Sequence, residues 1–293
     1  MRSMVEGARL AWRKDTIRAK PSAGLFVMPP AAGSGRRLAM HFPNESPEYR
    51  VARDRLLQKE VELRRQMEAV AEERRRLPPG GILKEDYVFD GLGADGKPAR
   101  IRFSELFAPG RDTLIAYDMM FPRYPTDPRP KPAEGAFARL PREDSPCPSC
   151  TALVDQWDGA AAHLEAAGFN FVVIAKTPLE RLLTFAGERG WRHVRFLSAA
   201  GNSFKRDYHG EDAEGYQQPV LHVFRRRTDD GIRHFWSSEL HFAEAEPGQD
   251  ERAFGTLEPV WNFIDMTPEG RPDWNVGIDD HGPREAKPGL VAG

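Results

Sequence analysis

The chain contains only two cysteines, and they stand in one short run, Cys147-Pro148-Ser149-Cys150. Two cysteines dropped at random on a chain of 293 residues take this separation about 0.7% of the time, so the spacing carries information. A disulfide across so short a loop removes little chain entropy, and a reducing compartment disfavours permanent bridges; a purely structural bridge is a poor account of the pair. Two readings remain, a redox dithiol and half of a metal site. A closed zinc site needs two further ligands. None of the eight histidines forms an H-x3-5-H pair, and His234 and His241 stand too far apart to serve as one. No metal site is expected.

Bulk properties narrow the class further. The apolar, charged and aromatic fractions (40%, 29% and 10%) are those of a globular protein, and a formal charge of -2 gives no general attraction to nucleic acid or anionic membrane. No apolar run approaches the length of a membrane span. The first forty residues are basic, with Arg2, Arg9, Arg13, Lys14, Arg18, Lys20, Arg36 and Arg37 against Glu6 and Asp15. They lack the apolar stretch of a secretory signal, so residues 1–45 read as a disordered extension, with Met40 the expected translation start and the cytoplasm the default location.

Residues 46–80 read as one helix and its terminator. Ser46 is placed to cap it, Pro47 suits its first position, and Tyr49, Leu56, Leu63, Val70 and Leu77 recur every seven residues before Pro78-Pro79-Gly80-Gly81. So narrow a stripe suits packing on the main domain or a homodimer through this helix. The main domain is expected over 81–275, followed by a tail at 276–293. Two short strands at Tyr87–Phe89 and Ala99–Phe103 flank a turn, and Thr113–Phe121 is apolar almost throughout, as a strand buried on both faces must be.

Seven prolines then punctuate the aperiodic stretch Pro122–Pro146, a length of loop that in a compact domain is functional or mobile. After the cysteines, Leu153, Trp157, Ala160 and Leu164 share a helical face. Phe169–Ile174 reads as a strand, Leu179–Ala186 as a helix ending at Gly190, and His193–Leu197 as a short strand. Val220–Phe224 and Ile232–Trp236 flank Thr228-Asp229-Asp230-Gly231 as an antiparallel hairpin, and Leu257–Ile264 has helical spacing. Trp157, Trp191, Trp236 and Trp261 are expected in the core or at its rim.

This order, with a Cys-x-x-Cys opening the helix after the first buried strand, resembles the thioredoxin fold: α/β, a central mixed sheet flanked by helices, here with an added N-terminal helix and β-hairpin. The resemblance implies that Pro219, directly before the first hairpin strand, is cis and faces the cysteines. It also makes Asp118 a candidate proton acceptor for Cys150. More closely, the chain resembles a bacterial family of predicted dithiol–disulfide oxidoreductases, domain of unknown function family 899. The likeness lies in Asp86-Tyr87-Val88-Phe89-Asp90-Gly91, Cys147-Pro148-Ser149-Cys150, Asp158-Gly159, Gly190-Trp191 and Asp265-Met266-Thr267-Pro268-Glu269-Gly270-Arg271, and spans about Glu48 to Arg271. The long Pro122–Pro146 insert departs from it where a short loop belongs.

A thiol at an exposed helix mouth meets unpaired N–H groups and the positive end of the helix dipole, which favour thiolate; an ordinary thiol is only about 3% ionised at pH 7. Cys147 is therefore the expected nucleophile and Cys150 the resolving thiol, with Pro148 stiffening the turn and Ser149 a small filler. The partners implied are a protein or small-molecule disulfide or thiol and an electron donor of unassigned identity, with no cofactor. A peroxidase is the alternative. Pro141 and Ser145 have the mutual spacing such an enzyme wants, but Cys147 follows one residue early. A non-catalytic binding module is the third reading. A nucleotide site is not expected, because Gly91-x-Gly93 lacks a third glycine and a following helix.

Overall fold

The computed structural model describes residues 40–278 apart from 133, 228–230, 251, 273 and 275. The basic segment 1–39, the hairpin turn at 228–230 and the tail beyond 278 lie outside the described residues. Two units divide at Leu77/Pro78. In the first, helix α1 (Pro47–Arg75) begins as its sequence predicts: the Ser46 hydroxyl accepts the Tyr49 N–H at 3.1 Å, and Pro47 occupies the first turn, where its missing N–H costs nothing. No residue of α1 is buried, and Tyr49, Leu56, Leu63 and Val70 stay about half exposed.

The second unit is built on one seven-stranded sheet. Its strands are β1 (Val88–Leu92), β2 (Pro98–Arg102), β3 (Thr113–Asp118), β4 (Asn170–Ala175), β5 (Arg195–Ser198), β6 (Val220–Arg227) and β7 (Gly231–Ser237), in the spatial order β2-β1-β5-β4-β3-β6-β7. β3 runs parallel to β4, and β4 to β5; β6 lies antiparallel to β3 and pairs in turn with β7. The parallel strands need helical crossovers. Helix α2 (Pro148–Ala166) connects β3 to β4 and α3 (Leu179–Arg189) connects β4 to β5. Gly190 closes α3 in the left-handed conformation (φ 77°), which explains a glycine there. Two short helices complete the unit, α4 (Phe204–Asp207) and α5 (Pro259–Ile264).

β3 lies between a parallel and an antiparallel neighbour, and its alternation divides two cores. Leu114 and Ala116 join a cluster with Phe89, Phe103, Phe204 and Phe224, while Tyr117 and the following Met119 join one with both cysteines, Trp157, Phe185 and Trp191. Each of these large apolar side chains contributes about 1.5–3 kcal/mol on burial, so β3 is fixed from both faces. A strand–helix–strand unit carrying the cysteines at its helix start, joined to an antiparallel hairpin on the other side of β3, is a thioredoxin-like fold. The β1–β2 hairpin extends the sheet beyond β5.

One backbone expectation is corrected. Among the described residues the cis bond is Phe121–Pro122, and Gln218–Pro219 is trans. The Gln218 N–H bonds the Gly210 carbonyl at 2.9 Å and Val220 pairs with Asp118, so the chain runs extended through Pro219 straight into β6.

Candidate active site

Cys147 is the N-cap of α2 and Pro148 its first residue. The Thr151 N–H and hydroxyl both bond the Cys147 carbonyl at 2.9 Å, and the Cys147 N–H bonds the Met120 carbonyl at 3.0 Å, so the helix start is tied to the chain leaving β3. The family-like residues downstream fix the helix itself. Asp158 accepts the backbone N–H groups of Arg192, His193 and Val194, and Asp155 accepts the Trp191 indole at 2.9 Å. On the other side the Trp157 indole donates to the Leu257 carbonyl at 2.6 Å. The Asp265–Arg271 stretch closes on itself: Arg271 donates to Asp265 at 2.7 Å and lies over the Trp261 ring.

The two thiols differ sharply. Cys147 is lowered to about 6: the hydrogen bond from the Cys150 thiol favours its thiolate most, and the Arg129 guanidinium and the Cys150 backbone N–H add to it, while burial and Asp127 oppose. Cys150 is pushed well above the ordinary thiol range, by burial first and then by its neighbour. The Tyr117 hydroxyl, fully buried and without a well-formed hydrogen bond, is close enough to Cys150 for the two to shift one another's ionisation.

The exposed helix mouth expected from sequence is not found. Cys147 has 0% and Cys150 1% of its surface exposed, because the Pro122–Pro146 insert folds over the start of α2. Arg129 Nη2 donates to Cys147 Sγ at 3.4 Å and Nη1 to the Ser149 hydroxyl at 2.5 Å, which gives Ser149 a partner rather than a filler's role. Asp127 holds the same guanidinium through Nε at 2.9 Å and Nη2 at 2.7 Å. Arg123, its side chain wholly buried, donates to the Arg129 and Pro130 carbonyls at 2.8 and 3.1 Å and so pins the loop that presents Arg129. The insert is anchored by its own Phe137, which packs edge-on against Phe121 and Phe185. Gly277 adds a further cover: a Cβ on it would lie 3.5 Å from that of Pro148, so the chain past the expected domain end at 275 is docked against this helix.

Outside the sulfurs, a surface hollow of about 440 Å³ is lined by residues 128–132 together with Ala138 and Arg142. Arg129 borders this hollow and also touches Cys147. Arg129 thus stands between this hollow and Cys147.

Asp118 and Pro219 are placed differently from the cysteines. Asp118 is fully buried, but alternation along β3 turns it to the face of Leu114 and Ala116, away from Tyr117 and the sulfurs. Its carboxylate lies 3.4 Å from His222 Nε2, and a Cβ on residue 210 would approach it to 1.9 Å, so only glycine fits there. The buried Lys205 donates to the Met119 carbonyl at 2.9 Å, and burial lowers its affinity for a proton while Asp118 and then Cys150 raise it. Pro219 is buried one residue beyond the β3–β6 ladder, at the end of β3 that leads to Met120. Ser145 spends its hydroxyl on the Arg142 carbonyl at 2.6 Å and makes no bond to Cys147. Among the described residues no group of three or more His, Cys, Asp and Glu side chains is arranged to hold a metal, and no helix is long and apolar enough to cross a membrane.

Fold and site together define a thioredoxin-like protein with a covered Cys-x-x-Cys at the start of its first crossover helix. The chain belongs to the family described as bacterial protein of unknown function (DUF899), whose pattern it matches over residues 39–280. None of the curated proteins matches it in sequence. Similar solved structures include peroxiredoxin Q of Xanthomonas campestris, at 12% identity and a TM-score of 0.35 over 54% of this chain and 84% of that one. AhpC of Enterococcus faecalis has 12% identity and a TM-score of 0.38 over 64% and 93%. The mitochondrial 2-Cys peroxiredoxin of Plasmodium falciparum has 11% identity and a TM-score of 0.37 over 65% and 95%.

Proposed function

We infer that the protein is a thiol–disulfide oxidoreductase that uses Cys147 as nucleophile and Cys150 as resolving thiol. The observation that carries this reading is the asymmetry of the pair: neighbours on one helical turn, with the first thiol lowered to about 6 and the second held protonated by burial. At pH 7 a thiol of that kind is mostly thiolate. The Cys147 thiolate attacks one sulfur of a substrate disulfide, forming a mixed disulfide and releasing one substrate thiolate. Cys150 gives its proton to that leaving thiolate and attacks Cys147 Sγ, so the second substrate thiolate departs and the chain holds a Cys147–Cys150 disulfide. Two electrons pass to the substrate, and an external donor must return them. The expected result is that Cys147→Ser abolishes reduction of a model disulfide by the dithiol protein, whereas Cys150→Ser accumulates one mixed disulfide per chain. Undiminished reduction by both variants would discard this reading.

One observation favours a second reading. With both sulfurs covered, hydrogen peroxide reaches Cys147 more easily than a folded protein disulfide does. The thiolate would then displace hydroxide from the peroxide to give a sulfenic acid, which the Cys150 thiol converts to the disulfide with loss of water. Peroxide consumption in the presence of a dithiol donor, absent from Cys147→Ser, promotes this reading; its absence from the unaltered protein removes it.

A further inference from the structure

The hollow at the approach to Cys147 carries an uneven charge pattern. The hollow beside Arg129 is lined by three cations, Arg129, Lys131 and Arg142, and by no carboxylate. Arg129 is already neutralised by Asp127 in a two-point contact. Lys131 and Arg142 have no such carboxylate contact among the described residues. The Lys131 ammonium rests on two neutral acceptors, the carbonyls of Ala138 and Leu140 at 2.7 and 2.6 Å, and Arg142 is exposed. Glu143 and Asp144 follow Arg142 in the chain without lining the hollow. The remaining wall is Pro128, Pro130, Pro132 and Ala138, short apolar surfaces that fix the backbone and leave room for a small molecule rather than a protein loop. A thiolate repels anions, and an approach lined with excess positive charge offsets that repulsion and draws negatively charged partners in preference to cations.

We propose that this hollow is the entry site for a small, carboxylate-bearing disulfide, and that Lys131 and Arg142 select it by charge on its way to Cys147. The proposal rests on the dithiol reading given above. The carboxylates of the incoming molecule meet Lys131 and Arg142, a rotamer change of Arg129 uncovers Sγ, and exchange then follows the balanced sequence already written, two electrons entering the small disulfide and two thiol groups leaving.

The test compares three probes of similar size, 3,3′-dithiodipropionate (anionic), 2-hydroxyethyl disulfide (neutral) and cystamine (cationic). Each is mixed with the reduced full chain, and loss of the two protein thiols is followed in a single turnover. Each rate is divided by that of the same probe with a small uncharged thiol. The anionic probe is expected to outrun the cationic one by about tenfold or more at low ionic strength, with the ratio collapsing towards one in molar salt. Arg142→Glu should cut the ratio several-fold, while Lys97→Glu, the same charge change at the distant β1–β2 turn, should leave it intact. Equal normalised rates for the three probes, a ratio indifferent to salt, or an Arg142→Glu protein with the original ratio would each overturn the entry site and leave the dithiol chemistry standing. Failure of every probe to oxidise the folded protein, with normal reaction after unfolding in urea, would instead remove the dithiol reading on which the proposal rests.

Discussion

Arg129 suits its post beside Cys147 because a guanidinium is planar, permanently charged and forked. It can bond Asp127 with one edge, the Ser149 hydroxyl with another donor and still direct an N–H at sulfur, which a lysine ammonium in the same place would not do with fixed geometry. Arg129→Met keeps the bulk and removes the charge and donors, so the Cys147 thiol should rise from about 6 by about one pH unit, the usual scale for losing one close opposite charge. It should not return to the ordinary range, since the Cys150 thiol favours the thiolate more than the arginine does. The pH dependence of alkylation by iodoacetamide measures both midpoints, and an unmoved midpoint would deny Arg129 this role. Of this site, Cys147, Pro148 and Cys150 were legible because they are adjacent in sequence. Asp118 came from the resemblance alone: β3 is apolar on both faces, so its sequence does not tell which face meets the cysteines, and alternation turns Asp118 to the face of Leu114 and Ala116. Arg129 had almost no signal; the one hint was its position between two prolines, Pro128 and Pro130, which hold the backbone on either side.

At the scale of elements, regular pieces followed their patterns and the irregular one did not. β3 and β4 are read from continuous apolarity, α2 and α3 from helical spacing, and the β6–β7 hairpin from its turn residues. β3 ends at Asp118 rather than Phe121 because beyond it the Met119 N–H makes one last bond to Ile174 of β4, while the carbonyls of Met119 and Met120 turn to Lys205 and Cys147. α4 escaped notice because four residues give no period to detect. The insert has no period at all, and its fold is set by contacts no local pattern encodes, above all the buried Arg123. Arg123→Met leaves the carbonyls of Arg129 and Pro130 without their donor, at a cost of about 1–3 kcal/mol for each that stays buried. That cost falls on the insert alone, so the loop should open locally. Backbone hydrogen exchange over 124–132 should quicken, and iodoacetamide should reach Cys147 several-fold faster while its midpoint changes less than in Arg129→Met. Protection undiminished over these residues would mean that Arg123 does not anchor the cover.

For the whole molecule, a thiolate favoured by the folded state ties stability to both pH and oxidation. Between about pH 6 and the ordinary thiol value of about 8.5, the folded dithiol chain holds Cys147 ionised while the unfolded chain keeps it protonated. The unfolded state then binds the additional proton, so stability rises with pH across this window. As pH falls through about 6 the folded thiol is protonated too and the contribution is lost. Joining the sulfurs as a disulfide removes the thiolate altogether, and so short a cross-link returns little by constraining the unfolded chain. A thiolate favoured in this way predicts that folding stabilises the dithiol, and hence that the disulfide oxidises more strongly than the same pair in an unfolded chain. Thermal unfolding of the two forms should therefore show the dithiol protein melting higher at pH 8, with the gap closing as pH is lowered to 5, and a smaller gap at pH 8 in Arg129→Met. A gap that does not vary with pH, or a disulfide form that melts higher at pH 8, would mean that the buried environment of Cys147 gives the thiolate no net advantage in the folded chain.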